Sequence, residues 1–206
     1  MVSFHQEEHD EVLSDSVPAA RARMNAQSLP RCHRALLLVD FINPLDFPGA
    51  EDLTPGALKA AEATLALRRR LEAEGVPVIY ANDNFGSWRS DFNHLVRQLL
   101  AGDGPAKALA QMLRPAADDL TVLKPRHSAF FGSPLEILLD LMGVDELVIT
   151  GLATDICVKM TAMDAFLRDY RIQVPANCTA AESPQRQQEA LLYMRDILRC
   201  DIAPMG

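Results

Sequence analysis

Glu146-Leu-Val-Ile-Thr-Gly-Leu-Ala-Thr-Asp-Ile-Cys157 is the stretch whose reading decides the fold. Glu146 to Thr150, centred on Leu-Val-Ile, has the length and β-branched content of a strand. Beyond Gly151 the period changes. Ile156, Met160, Met163, Leu167 and Tyr170 recur at spacings of four and three, the apolar stripe of a helix expected over about 155–170. That stripe faces the sheet, and Cys157 lies one residue off it in the first helical turn. A strand that turns directly into a helix is half of a βαβ unit.

The same alternation extends to both sides. Ala35-Leu-Leu-Leu-Val39 is an uninterrupted apolar run, as a strand covered on both faces requires. Further strands are expected at Val76–Tyr80, Leu120–Leu123, Arg171–Val174 and Cys200–Ala203. Helices are expected between them. One runs from Pro55 to Glu74, with Thr54 as N-cap, Pro55 at N1 and Gly75 closing it. A second covers Asp91–Leu100. A third starts at Ser133, with Pro134 at N1 and Glu136 in the capping-box position, and ends at Gly143. The last spans Pro184–Leu198. Helices of this length between strands imply right-handed crossovers. The expected fold is therefore a three-layer α/β, doubly wound, mostly parallel sheet of about six strands with helices on both faces. Residues 1–33 show no such period and read as an N-terminal arm able to pack on another subunit; residues 34–206 form the domain.

Composition narrows the function. A chain of 206 residues that is 49% hydrophobic can build one continuous core. A formal net charge of -8 argues against nucleic acid as partner, and Arg68-Arg69-Arg70 reads as a solvated helix face. No apolar run approaches the ~20 residues that cross a bilayer, so no membrane is expected. The acidic, polar start MVSFHQEEHDEV lacks the layout of a secretory signal. The four cysteines make no CxxC pair, which points to reduced thiols in the cytoplasm and against structural zinc.

In open α/β sheets, ligands bind beyond the carboxyl ends of the strands, where strand order reverses. Asp40 ends the first strand, Lys124 the third, and Cys157 follows the fourth. A thiol attacks only as thiolate, and its free pKa near ~8.5 leaves little of it at neutral pH. With Thr154 or Asp155 as N-cap, the helix N-terminus should lower that pKa, and Lys124 should lower it further. Asp40 then suits the role of taking the thiol proton and returning it to a leaving group. First-turn backbone N–H groups suit an oxyanion hole. Cys32, Cys178 and Cys200 have no comparable setting and read as structural.

Val148-Ile-Thr-Gly-Leu-Ala-Thr-Asp-Ile-Cys-Val158, Leu-Leu-Val-Asp40 and Val-Leu-Lys124 together resemble the isochorismatase-like cysteine hydrolase superfamily. That group includes isochorismatases, nicotinamidases, N-carbamoylsarcosine amidases, and biuret and ureidoacrylate hydrolases. The resemblance runs from about residue 34 to the C-terminus. It implies an isochorismatase-like, Rossmann-like fold, an Asp40–Lys124–Cys157 triad and a non-proline cis peptide near Leu152-Ala153. The backbone N–H groups of Ala153 and Cys157 would form the oxyanion hole, and the protein would be a homodimer or homotetramer. The retained cysteine implies C–N hydrolysis of a small amide, carbamoyl or ureido substrate through a thioester. Nicotinamidases hold a metal with an aspartate and two histidines after the second strand. Here Asp83 has no histidine near it until His94, so neither metal nor other cofactor is expected. Phe41, Asn82, Trp88, Arg126 and Phe130 are the expected substrate-binding residues, with Arg89 and Arg126 as candidate carboxylate anchors. His127 fits either the pocket or the surface. Two other readings remain: a vinyl-ether hydrolase using Asp40 as general acid, and a non-catalytic binding module.

Overall fold

The computed structural model describes residues 29–86, 89 and 91–205. The apolar runs form one sheet: β1 (Arg34–Val39), β2 (Val78–Asp83), β3 (Leu120–Lys124), β4 (Glu146–Leu152), β5 (Arg171–Gln173) and β6 (Thr179–Ala180). The order is β3-β2-β1-β4-β5, with β6 also pairing β4, and every pairing is parallel. The expected three-layer, doubly wound architecture is thus present. Its helices are α1 (Ala50–Ala73), α2 (Phe92–Ala101), α3 (Gly104–Met112), α4 (Leu135–Met142), α5 (Lys159–Phe166) and α6 (Pro184–Asp196).

Two cores sandwich the sheet. Leu36, Leu38, Val78, Tyr80 and Val148 point towards α1, α2 and α3, meeting Leu53, Leu67, Val96 and Leu109. Their neighbours Leu37, Val39, Ile79, Ala81 and Ile149 point the other way, towards Leu139, Val158, Ala162 and Met194 of the opposite layer. Alternate residues of β1 therefore serve both cores, which is why its sequence shows no polar alternation. Among the described residues no helix is long and apolar enough to cross a membrane.

Several boundaries differ from those expected. α1 begins at Ala50 after Gly49 (φ 89), so Thr54 is inside the helix rather than its cap. Its hydroxyl donates back to the Ala50 carbonyl at 2.6 Å. Pro55 therefore lies inside the helix, where it removes one backbone hydrogen bond. β2 starts at Val78, because Pro77 has no N–H and its carbonyl instead accepts from Leu36 N–H at 2.9 Å. α3 was not expected from the sequence. At α4, Ser133 Oγ accepts from Leu135 N–H (3.1 Å), but Glu136 forms no capping box; it pairs with Arg168 at 2.9 Å. Cys200–Ala203 is not a strand beyond one bridge between Gln173 and Asp201; the sixth strand is Thr179–Ala180. Of the N-terminal arm, residues 1–28 lie outside the described residues. Its last part is tied to the domain, with Cys32 N–H on the Met142 carbonyl (3.1 Å) and His33 O accepting from Asp145 and Glu146.

Candidate active site

β1 and β4 are neighbours at the point where strand order reverses, and their C-terminal ends open the crevice in which the site lies. Val39 is in register with Gly151, where the two backbones touch. A Cβ on Gly151 (φ 135) would stand 2.1 Å from the Val39 carbonyl oxygen, so glycine alone fits. The next residue of β1, Asp40, adopts a left-handed conformation (φ 51) that aspartate tolerates better than most residues. The chain turns sharply there, and the carboxylate is left inside the crevice.

On β4 the strand runs to Leu152, followed by a cis peptide between Leu152 and Ala153. The chain then enters a π turn, Thr154–Val158, before α5. Val158 N–H donates to the Ala153 carbonyl at 3.2 Å. The continuous α-helix expected from residue 155 is therefore opened into a wider first turn, with Ala153 rather than Thr154 or Asp155 preceding it. Both of those side chains are occupied by α6. Thr154 donates to Gln187 Oε1 at 2.5 Å, and Asp155 accepts from Arg186 Nε at 2.6 Å.

Lys124 arrives from β3, two strands from β1, and reaches across the end of β2. Its side chain has no solvent exposure, so its charge needs partners. Nζ lies 2.8 Å from Asp40 Oδ2, 3.5 Å from Asp83 Oδ2 and 3.2 Å from the Arg126 carbonyl. It is also 3.7 Å from Cys157 Sγ. Asp40 Oδ1 accepts from Asp83 N–H at 2.7 Å, and its charge acts on the Cys157 thiol. The structure thus gathers Asp40 and Cys157 around the Lys124 ammonium, although Asp40 and Lys124 do not lie on adjacent strands.

The electrostatics differ from the expectation of a depressed thiol pKa. Burial pushes the Cys157 thiol up, the Asp40 charge adds to this, and Lys124 opposes it only in part. Burial also raises the Asp40 carboxyl against the pull of Lys124. For Lys124, burial acts downward but the charges of Asp40, the thiol and Asp83 outweigh it, and the net shift is up. Burial and the facing carboxylate thus favour the thiol form of Cys157, and Asp40, held by Lys124, is a stronger base than a solvated carboxylate.

Two groups in the site were not assigned from the sequence. Asp83, in register with Lys124 on β2, supplies a second carboxylate to the ammonium. His127 places Nδ1 3.7 Å from Cys157 Sγ on the solvent side. Thr161 ties the loop after β3 to the turn that carries Cys157, accepting from Ala129 N–H (3.0 Å) and donating to the Cys157 carbonyl (2.7 Å).

The other expected residues separate. Phe41 and Asn82 are fully buried. Asn82 Nδ2 donates to the Ile42 carbonyl at 2.9 Å, pinning the loop after β1. Phe130 is buried against Tyr170 with Arg168 over its ring. These three pack the walls rather than an open pocket. Arg126 and Arg89 are exposed, and Trp88 lies outside the described residues. Cys32, Cys178 and Cys200 are free thiols away from the ion pair.

A family model described as the isochorismatase domain matches residues 34–200. The chain belongs to the isochorismatase family. It is 33% identical over 174 residues to the uncharacterized isochorismatase family protein YaaI of Bacillus subtilis, covering 84% of this chain and 95% of that one. The ureidoacrylate amidohydrolase RutB of Serratia proteamaculans is 40% identical over 99 residues, but these span only 48% of this chain and 40% of RutB. Among solved structures, the N-carbamoylsarcosine amidase of Thermoplasma acidophilum superposes with a TM-score of 0.64 at 28% identity. That match covers 84% of this chain and 96% of the amidase. The family fold thus carries the Asp40–Lys124–Cys157 cluster at its strand-order reversal.

Proposed function

We propose that the chain hydrolyses the C–N bond of a small amide, carbamoyl or ureido compound through a thioester on Cys157. The Lys124 ammonium, 3.7 Å from Cys157 Sγ and 2.8 Å from Asp40 Oδ2, carries this reading by placing thiol and carboxylate side by side. Asp40 takes the thiol proton as sulfur attacks the carbonyl carbon. The backbone N–H groups of Ala153 and Cys157 receive the developing oxyanion. Lys124 stays protonated and offsets the negative charge around it. The C–N bond then breaks, and the leaving nitrogen takes the proton from Asp40. Water hydrolyses the thioester and restores the thiol. The cation between the two carboxylates is an ammonium, so the scheme needs no metal or other cofactor.

The amidohydrolase names of two relatives, RutB and the N-carbamoylsarcosine amidase, support the same bond class. Arg126, exposed beside His127, is the proposed anchor for an anionic substrate. Four free cysteines fit a reducing, cytoplasmic setting. Homodimer or homotetramer assembly is proposed from the family resemblance; sedimentation as a monomer would count against it. The decisive experiment is ammonia release from a panel of small amides, carbamoyl compounds and ureides. Cys157→Ala should abolish it, and intact-mass analysis of the wild type should find an acyl adduct on Cys157. Turnover that survives Cys157→Ala unchanged would overturn the thioester scheme.

A further inference from the structure

We propose that His127 is the general base that brings water to the thioester on Cys157. This rests on the thioester reading above and adds a residue to it. Asp40 faces the sulfur from inside, its carboxylate almost wholly buried and held by Lys124 and Asp83 N–H. His127 faces the same sulfur from outside. Its Nδ1 lies 3.7 Å from Sγ, yet the residue is exposed and lines a surface groove of about 520 Å³ with Phe131, Met160 and Leu167. It is the residue common to the thiol's surroundings and that groove, and so stands where water reaches an acylated sulfur.

The backbone around His127 is fixed on both sides, although its ring is exposed. The Arg126 carbonyl accepts from Lys124 at 3.2 Å. Ser128 Oγ donates to Asp164 at 2.5 Å, and Ala129 N–H bonds Thr161, whose hydroxyl holds the Cys157 carbonyl. The backbone that carries the imidazole is thereby held in register with the turn that carries Cys157. A neutral imidazole is a base suited to neutral pH. In the step proposed, His127 removes one proton from water as the water oxygen bonds to the thioester carbonyl carbon. The C–S bond breaks, the proton passes from the imidazole to sulfur, and the acyl group leaves as its acid. Water is the only co-reactant consumed.

The test uses p-nitrophenyl acetate, whose nitrophenolate leaves without needing a proton. Wild type should release a rapid burst of nitrophenolate, absent in Cys157→Ala, followed by a slower steady rate set by deacylation. His127→Asn should keep the burst but slow the steady phase by about 100-fold, the scale of a lost general base. Acetylated Cys157 should then accumulate by mass, and added imidazole should restore part of the steady rate of His127→Ala. An unchanged steady rate in His127→Asn, with the burst intact, would overturn the role of His127 alone. A burst lost in His127→Asn while its melting temperature is unchanged also overturns it, by placing His127 in acylation. Absence of any Cys157-dependent burst in the wild type overturns the thioester reading and this proposal with it.

Discussion

Replacing Gly151 by alanine tests how the strand ends are held together. The new methyl would sit 2.1 Å from the Val39 carbonyl oxygen and 2.8 Å from Val39 C and Cβ. Ordinary contact is about 3.5 Å, so the collision exceeds 1 Å for backbone atoms that cannot rotate away. Overpacking of this kind costs about 1–3 kcal/mol. Holding alanine at φ 135 adds strain, about 1–3 kcal/mol for a sparsely populated backbone region. The combined loss of about 2–6 kcal/mol is a large part of a total stability of about 5–15 kcal/mol. At about 2–4 °C per kcal/mol for a chain of this size, Tm should fall by about 4–24 °C in calorimetry. Activity should fall further than stability, because parting Val39 from Gly151 also parts Asp40 from the turn that leads to Cys157. Gly143→Ala is the control: its φ is also positive (75), but a Cβ there meets nothing within 4 Å. It should cost only about 1 kcal/mol. Equal melting temperatures for the two variants would refute the assigned collision.

Asp40→Asn keeps a residue that tolerates the left-handed backbone but leaves the unexposed Lys124 ammonium with Asp83 as its remaining carboxylate. Stability should drop by about 3–5 kcal/mol, as when one partner of a buried pair is removed; urea denaturation reads this, and a loss below about 1 kcal/mol would show that the pair is not held as described. Turnover should fall by about 100-fold or more, since the variant has lost the carboxylate assigned to take the thiol proton. Iodoacetamide labelling with mass mapping tests the thiol. A raised pKa keeps the proton on sulfur as pH rises, so at pH 7 the half-buried Cys32 should react faster than Cys157. Cys157 labelling should accelerate only above the ordinary thiol range near ~8.5. Fastest labelling at Cys157 at pH 7 would mean a resting thiolate–ammonium pair instead.

Much of the fold was legible because its signals are local. Ala35–Val39 and Leu147–Ile149 are apolar without alternation, and only strands covered on both faces need that. Boundaries were harder to read where two local signals agreed on the wrong residue. Thr54-Pro55 has the look of a helix start, but the chain already turns at Gly49, one turn earlier. Thr179–Ala180 carries no strand signal of its own; two residues become a strand only because the edge of β4 is there to pair with. The expected pocket residues Phe41 and Asn82 failed to reach an open surface for a related reason. Standing beside a strand end does not say which way a side chain faces, and both turn into the core.

For the site, the sequence by itself determined which groups are available: a carboxylate, an ammonium and a thiol at three strand ends. Their protonation states were decided only by the tertiary structure. A helix N-terminus read from the sequence argues for a depressed thiol pKa, but burial and the facing Asp40 carboxylate reverse the sign. Desolvation depends on everything packed around a group, and no spacing along the chain encodes it. The same holds for His127. Three residues after Lys124 it could face solvent or sulfur, and only the packing of the loop after β3 against α5 turns it towards both.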